Sequence, residues 1–351
     1  MQVELGDSLL STQGPDVLLL VGICAFGYMG RHRVIPLNRG RWDEWAKQLP
    51  ATLADELRLV WDEGEQQVAL GAASERLEVR ANAKLSFECY EILASPQDAF
   101  ALLGRPLRVL LENGRNDRLF LLAFADAATL NALKRAEDAG WLVFETAGGI
   151  GELKVRLEKA DEVAPLDAMR MMYLCDSDAR EPGGRSAEAT TVQSGLEGLE
   201  QRYRRQVGYF GCVLSRRSAE NYAPPRAVLQ WAKSHAPDAW RLFEEASQPR
   251  TRDMLARNPS RGSTHGCLLA AIALNELSPE IRAHIDMKSG RGEASIRTID
   301  AIWGRLNDFQ QAALQEGFGS RFAASFFGDS RGLSDETGEV IALLQRILER
   351  L

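Results

Sequence analysis

The chain has 351 residues, 45% of them hydrophobic, with a formal charge of -7 and a pI near 5.4. Such a length and apolar content can build a large core and suggest two or three domains, while the acidic balance excludes nonspecific coating of nucleic acid and allows only a local basic surface. The five cysteines, Cys24, Cys89, Cys175, Cys212 and Cys267, are odd in number, far apart and mostly set among apolar neighbours, which points to reduced core thiols and a cytoplasmic protein.

The apolar run from Val17 to Met29 is interrupted by glycines, follows an acidic start and is too short to span a bilayer, so no membrane anchor or signal peptide is expected. Between Trp42 and Glu63 the residues Trp42, Trp45, Leu49, Leu53, Leu57, Val60 and Trp61 recur at helical spacing, and Pro50 divides the run into two predicted helices. These side chains read as core. Shorter strand-like alternations follow between Gln67 and Leu93, as in Leu77-Glu78-Val79-Arg80. Residues 1–104 are thus expected to form an α+β accessory region that packs on the remainder or holds a partner.

From Arg105 strands and helices alternate, which predicts a mostly parallel sheet covered on both faces. Arg108 to Leu111 reads as a strand, Glu112 to Asp117 as a turn, Arg118 to Ala136 as a helix and Trp141 to Phe144 as the next strand. The loop Ala147-Gly148-Gly149-Ile150-Gly151 then leads to a helix through Leu153, Val155 and Leu157. A buried strand from Met171 stops at Asp176 and Asp178, and Glu181 to Thr191, rich in Gly, Ser and Ala, reads as a mobile loop. A helix through Leu196, Leu199 and Tyr203 precedes a strand at Tyr209 to Leu214, and Pro224 and Pro225 start another helix. The remainder is expected to be mainly helical, ending in an amphipathic helix from Ile341 to Leu351. The expected divisions are 1–104, a core at 105–225 and a helical region at 226–351.

Residues two apart in an extended chain face the same side, so Asp176 and Asp178 would share one spot at a strand's carboxyl end, where ligands of open α/β sheets sit. A hard divalent cation relieves the repulsion of such a pair; an Asx-type turn is the plainer account of the same residues. Glu112 and Asp117 end an earlier strand. In a parallel sheet all four carboxylates would converge and could hold one or two Mg²⁺ ions, although Asp117 also reads as a helix N-cap. The Gly-rich loop could approach a phosphate or be a tight turn. It lacks the dinucleotide spacing, and no P-loop sequence occurs, so no P-loop NTPase activity is expected. His32, His235, His265 and His284 are dispersed and match no zinc site. Arginines gather at Arg202, Arg204, Arg205, Arg216, Arg217 and Arg226, and again at Arg250, Arg252, Arg257 and Arg261; they either hold phosphates or solvate the fold. Lys288 could stabilise charge on a transferring phosphate or simply lie at the surface.

Together, the stretch Leu110 to Arg118, the Gly-rich turn, Leu174-Cys175-Asp176-Ser177-Asp178 and Ser215 to Tyr222 resemble a Toprim domain. More narrowly, they are similar to the Toprim nucleases of the overcoming-lysogenization-defect (OLD) family and related bacterial anti-phage proteins. The resemblance covers roughly Arg105 to Tyr222, with Lys288 a looser match. It implies a Toprim-like, Rossmann-like sheet with Glu112 as acid/base and ligand. Asp117, Asp176 and Asp178 would be further ligands of Mg²⁺ or Mn²⁺, with Lys288 assisting cleavage, Arg180, Arg216 and Arg217 on nucleic acid, and Gly149 and Glu220 in support. The family usually places Gly directly after Glu, whereas Asn113 intervenes here. Chemistry favours Glu112 facing the metal with Asn113 turned away, because only the glutamate supplies negative charge and a proton acceptor. The family's ATPase is absent from this chain, which implies a separate ATPase or sensor protein. The expected function is a metal-dependent nuclease subunit in anti-phage defence, acting on DNA rather than RNA, with no membrane association. Two alternatives stand beside it: a regulatory Toprim module that no longer cuts, and an Asp-x-Asp nucleotide-sugar transferase using Mn²⁺, which leaves Glu112 and Asp117 unexplained.

Overall fold

The computed structural model describes residues 1–11, 15–70, 75–88, 91–159, 164–181, 183–245, 249–257, 264–285, 287, 303–318 and 321–351. The first part of the chain runs β1 (Gln2–Leu5), a 3-10 turn (Asp7–Ser11), α1 (Pro15–Tyr28), β2 (Arg33–Pro36), α2 (Arg39–Ala46), α3 (Ala51–Leu70), β3 (Arg76–Val79), β4 (Ser86–Phe87), β5 (Glu91–Ala94) and α4 (Pro96–Gly104). Pro50 separates α2 from α3 as the sequence predicts, and Trp42 and Trp61 meet edge to face in the core, their rings 5.8 Å apart. The strands form a five-stranded sheet in the order β2-β1-β3-β5-β4, in which only β4 pairs antiparallel. This corrects the expected α+β region: it is α/β and largely parallel. The signal was weak because each strand has four residues or fewer, too few to display a period, and β1 is buried at every position.

The second part continues with β6 (Leu107–Leu111), α5 (Arg115–Phe124), α6 (Ala127–Asp138), β7 (Leu142–Thr146), α7 (Ile150–Glu158), α8 (Pro165–Ala168), β8 (Met171–Cys175), α9 (Ala187–Arg202) and β9 (Gly211–Val213). The strands pair in the order β7-β6-β8-β9, all parallel. Two local readings change. The single helix expected from Arg118 to Ala136 is two, because Asp126 caps α6 by accepting the Thr129 N–H at 2.7 Å. The loop expected up to Thr191 ends at Ser186, whose hydroxyl accepts the Ala189 N–H at 3.1 Å and starts α9.

A 3-10 turn (Ala219–Tyr222) leads into α10 (Pro225–His235), α11 (Pro237–Glu245), α12 (Pro249–Arg257), α13 (Thr264–Glu276), α14 (Pro279–His284), α15 (Asp308–Glu316), α16 (Phe322–Asp329) and α17 (Glu339–Arg350). These helices cover one face of the second sheet, packing on Val109, Leu111, Met172 and Leu174. Leu110, Tyr173 and Cys175 point the other way, into an apolar cluster that runs without a break into the first sheet. Burial on both faces explains why β6 and β8 read as continuous apolar runs. Among the described residues no helix is long and apolar enough to cross a membrane.

The last strand sits unusually close to its neighbour. Gly211 has φ +128°, and a Cβ there would lie 1.9 Å from the Tyr173 carbonyl oxygen. Because that obstacle is backbone, Gly211→Ala should destabilise the fold by about 2 kcal/mol or more. Urea denaturation checks this; an unchanged midpoint would contradict the close β8–β9 approach.

Candidate functional site

The central parallel pair β6–β8 extends its hydrogen bonding one residue past β6. The Glu112 N–H donates to Leu174 O at 3.2 Å, while the Glu112 carbonyl accepts the Gly149 N–H at 3.1 Å. Fixed this way, the Glu112 side chain crosses to β8, where its Oε2 accepts the backbone N–H of Asp176 at 3.1 Å. Glu112 is 8% exposed and Asp176 3%, so both carboxylates are buried and tied to main-chain donors, the arrangement that makes a buried charge tolerable. Asn113 is exposed. The structure therefore brings the Glu112 carboxylate to the Asp176 backbone and leaves Asn113 exposed.

Asp117 belongs to the same group by a different route. It is not the N-cap of α5, which is Gly114, but lies one turn in and reaches back to accept the Asn113 N–H at 2.7 Å. Gly114 makes the intervening turn at φ +41°, with its absent Cβ 1.8 Å from Thr146 Oγ1, so a side chain has no room there. Asp117 is 5% exposed. Cys175 registers the convergence: its thiol pKa is pushed far up, first by burial and then by the charges of Glu112 and Asp176, with Asp117 contributing less.

Asp178 departs from expectation. β8 ends at Cys175, and Asp178 adopts φ +49°, so the period-two argument that paired it with Asp176 loses its extended backbone. What orders this segment is the loop after β9. Ala219 N–H donates to Asp176 Oδ1 at 3.0 Å, Asp178 N–H to Arg217 O at 2.9 Å, and Ser177 Oγ to Arg216 O at 2.7 Å. That loop is itself held from two directions. Asn221 Nδ2 donates to Arg282 O and Ile285 O at the end of α14, and the Tyr222 hydroxyl donates to Glu339 on α17 while accepting the N–H groups of Ser215 and Arg216 at 3.1 Å each. Glu339 gave no sequence signal, since it lies 117 residues from Tyr222 in an ordinary helical first turn.

Arg216, expected on nucleic acid, and Arg204, Arg205 and Arg252, for which phosphate binding and a role in the fold stood open, all have partners within the protein. Arg216 is spent internally: it donates to Asn221 O at 2.6 Å, pairs with Glu336 at 3.2 Å and lies over the Tyr222 ring. Arg205 is buried against Glu75 and the Tyr209 ring, Arg204 pairs with Glu88, and Arg252 lies over Phe309 and pairs with Glu276. Arg180 is exposed directly after Asp178 and Ala179, and Arg217 is half-buried. Gly149, at φ +115°, starts α7 and anchors Glu112 through its N–H. Glu220 follows Ala219, with one carboxylate oxygen buried and without a hydrogen-bond partner. Lys288 lies outside the described residues.

Among the described residues no group of three Asp, Glu, His or Cys side chains is disposed to hold a metal ion. The expected four-carboxylate convergence is thus reduced to three buried acids, each with one oxygen on a backbone N–H. No family model, curated protein or solved structure matches the chain.

Two outcomes follow from this geometry. Tyr222→Phe removes the acceptor of the half-buried Arg216 N–H and one of two acceptors of the Ser215 N–H, which also donates to Glu339 Oε1 at 3.1 Å, and should cost about 1 kcal/mol, read as a lowered urea midpoint; wild-type stability would mean that the hydroxyl's link to α17 carries no load. Burial pushes the thiols of Cys24, Cys212 and Cys267 up to about 12 and that of Cys175 higher still. As the thiolate is the reactive form, these cysteines should resist alkylation at pH 8 until the protein is unfolded. Peptide mapping by mass spectrometry would reveal any that label in the native state.

Proposed function

We propose that this chain is a Toprim-type, divalent-metal-dependent nuclease subunit working with a separate ATPase or sensor protein in anti-phage defence. The observation that carries the reading is the Glu112 carboxylate set against the Asp176 backbone at 3.1 Å, across the carboxyl ends of two adjacent parallel strands. Asp117 joins them from the first turn of the helix that follows β6.

The donor set fits a hard cation in chemistry, because carboxylate oxygens suit Mg²⁺ and Mn²⁺. As they stand, the three acids do not form a group disposed to hold a metal among the described residues. Glu112, Asp117 and Asp176 would hold such a cation, which would supply charge to acidify a water and to stabilise the leaving oxygen of a phosphodiester. Glu112 accepts the proton of the attacking water at its carboxylate, and the Ala219 N–H keeps Asp176 aimed across the β6 end. Arg180 at the rim holds a backbone phosphate of DNA.

A regulatory module that binds a partner without cutting is the second reading. The absence of a ready three-acid metal group among the described residues and the internal use of Arg216 favour it. Cleavage assays with DNA and RNA, on the chain alone and with the products of neighbouring genes, separate the two. The nuclease reading expects cutting with Mg²⁺ or Mn²⁺ that EDTA stops, and a loss of about 100-fold or more in Glu112→Gln and Asp176→Asn. Asparagine is the right replacement at 176, because Asp176→Ala would orphan the Ala219 N–H and cost about 1–3 kcal/mol of stability. Intact substrate under every metal and partner condition leaves the regulatory reading.

A further inference from the structure

Helix α1 is apolar on every side from Val17 onward, yet a single chain covers only part of it. Its inner side carries the buried Leu20, Ile23 and Cys24, and Gly27, against which Val34 and Val60 pack. The outer side carries Leu18, Gly22, Ala25 and Met29, at alternating spacings of four and three that hold one helix face toward one neighbour. The Met29 N–H on Ala25 O at 3.0 Å continues the helical bonding to that residue. Leu18 is 75% exposed, Tyr28 64% and Met29 48%, and Ala25 is exposed between them. Phe100 of α4 lies over Gly22, where a Cβ would come within 2.6 Å of its ring, and is itself 39% exposed, which widens the strip. A helix hydrophobic all round belongs in a core, and no other described residue covers this side.

The chemistry of the strip restricts what can cover it. No charged residue occurs from Val17 to Gly30, so an acidic or basic partner surface would lose hydration there without gaining an ion pair. A second copy of this chain meets the requirement. Around a two-fold axis a residue meets its own equivalent or one equally far on the other side, so a charge near the axis would be set against its like. A charge-free strip is what such a contact needs in a protein of formal charge -7. The order of sizes is symmetric as well: the bulky Leu18 and Met29 stand at the two ends, with Gly22 and Ala25 at equal distances from the midpoint between them. Covering the exposed parts of Leu18, Tyr28, Met29 and Phe100 on both copies removes on the order of 1,000 Å² from water, which reaches the size of a specific association.

We propose that α1 is the seam of a homodimer, in which the outer face of one copy packs antiparallel on the same face of a second. Leu18 of each copy then lies near Met29 of the other, and the small residues at the centre let the two helices approach closely. The contact uses none of the strand-end acids and does not depend on the nuclease reading.

Sedimentation equilibrium of the full chain tests it. The wild type should show twice the chain mass of 38.8 kDa at micromolar concentration. Leu18→Glu and Ala25→Arg, both at positions exposed in a single chain, should each weaken the dimer about a hundredfold, while far-UV circular dichroism stays that of the wild type. Leu18→Glu combined with Met29→Lys should restore the dimer, because antiparallel packing sets the introduced carboxylate of one copy beside the introduced ammonium of the other; failure to restore it would overturn the antiparallel seam. A wild type that stays monomeric at high micromolar concentration, or a dimer indifferent to both single changes, would overturn the proposal. So would a monomer that floats with phosphatidylcholine vesicles and loses this on Leu18→Glu, since the strip would then face lipid.

Discussion

The main-chain pairing between β6 and β8, carried one residue beyond β6, is the constraint on which the candidate site depends. A parallel strand buried on both faces has nowhere to place a charge except at its end. Glu112 emerges there with its N–H already committed to Leu174 and its carbonyl to Gly149. A carboxylate left in that setting would be costly unless a donor met it. Each acid meets one: Glu112 takes the N–H of Asp176, Asp176 that of Ala219 and Asp117 that of Asn113. These backbone donors thus help orient the three acids.

The loop after β9 extends this arrangement outward. It pairs with Asp176, Ser177 and Asp178 on one side and is fastened to α14 and α17 on the other. The C-terminal helices do more than cover a sheet face. Through Glu339 of α17 on Tyr222, with Glu336 of the preceding loop on Arg216, they help position the segment that carries the Ala219 N–H. Any displacement of α17 by a partner would be felt at the strand ends, because the hydrogen bonds along this path leave the loop little independent freedom.

Arginine is used here largely as an internal linker. Arg350 donates to the Met169, Met171 and Tyr209 carbonyls and lies over the Tyr209 ring, while Arg170 donates to the Arg350 carbonyl. A planar guanidinium with several fixed donors suits such work, since one side chain can close several strand-end carbonyls at once. It also explains how an acidic protein rich in arginine can present few of them at the candidate site.

The sequence by itself determined the alternating α/β pattern after Arg105, the Pro50 break and the termination of β6 and β8 at acids. All of these follow from local period, breakers and side-chain chemistry. It did not reveal the parallel first sheet, whose strands are too short to show a period, nor the break at Asp126, where capping overrode a continuous apolar run. Tertiary structure alone decided that Asp178 leaves the extended path, that Asp117 reaches backward instead of capping, and that Arg216 turns inward to Glu336. Those outcomes depend on where a loop some forty residues along meets Asp176 and where a helix more than a hundred residues along meets Tyr222. No local pattern encodes contacts of that separation, because they exist only once the sheet and the helices covering it have closed around the same buried residues.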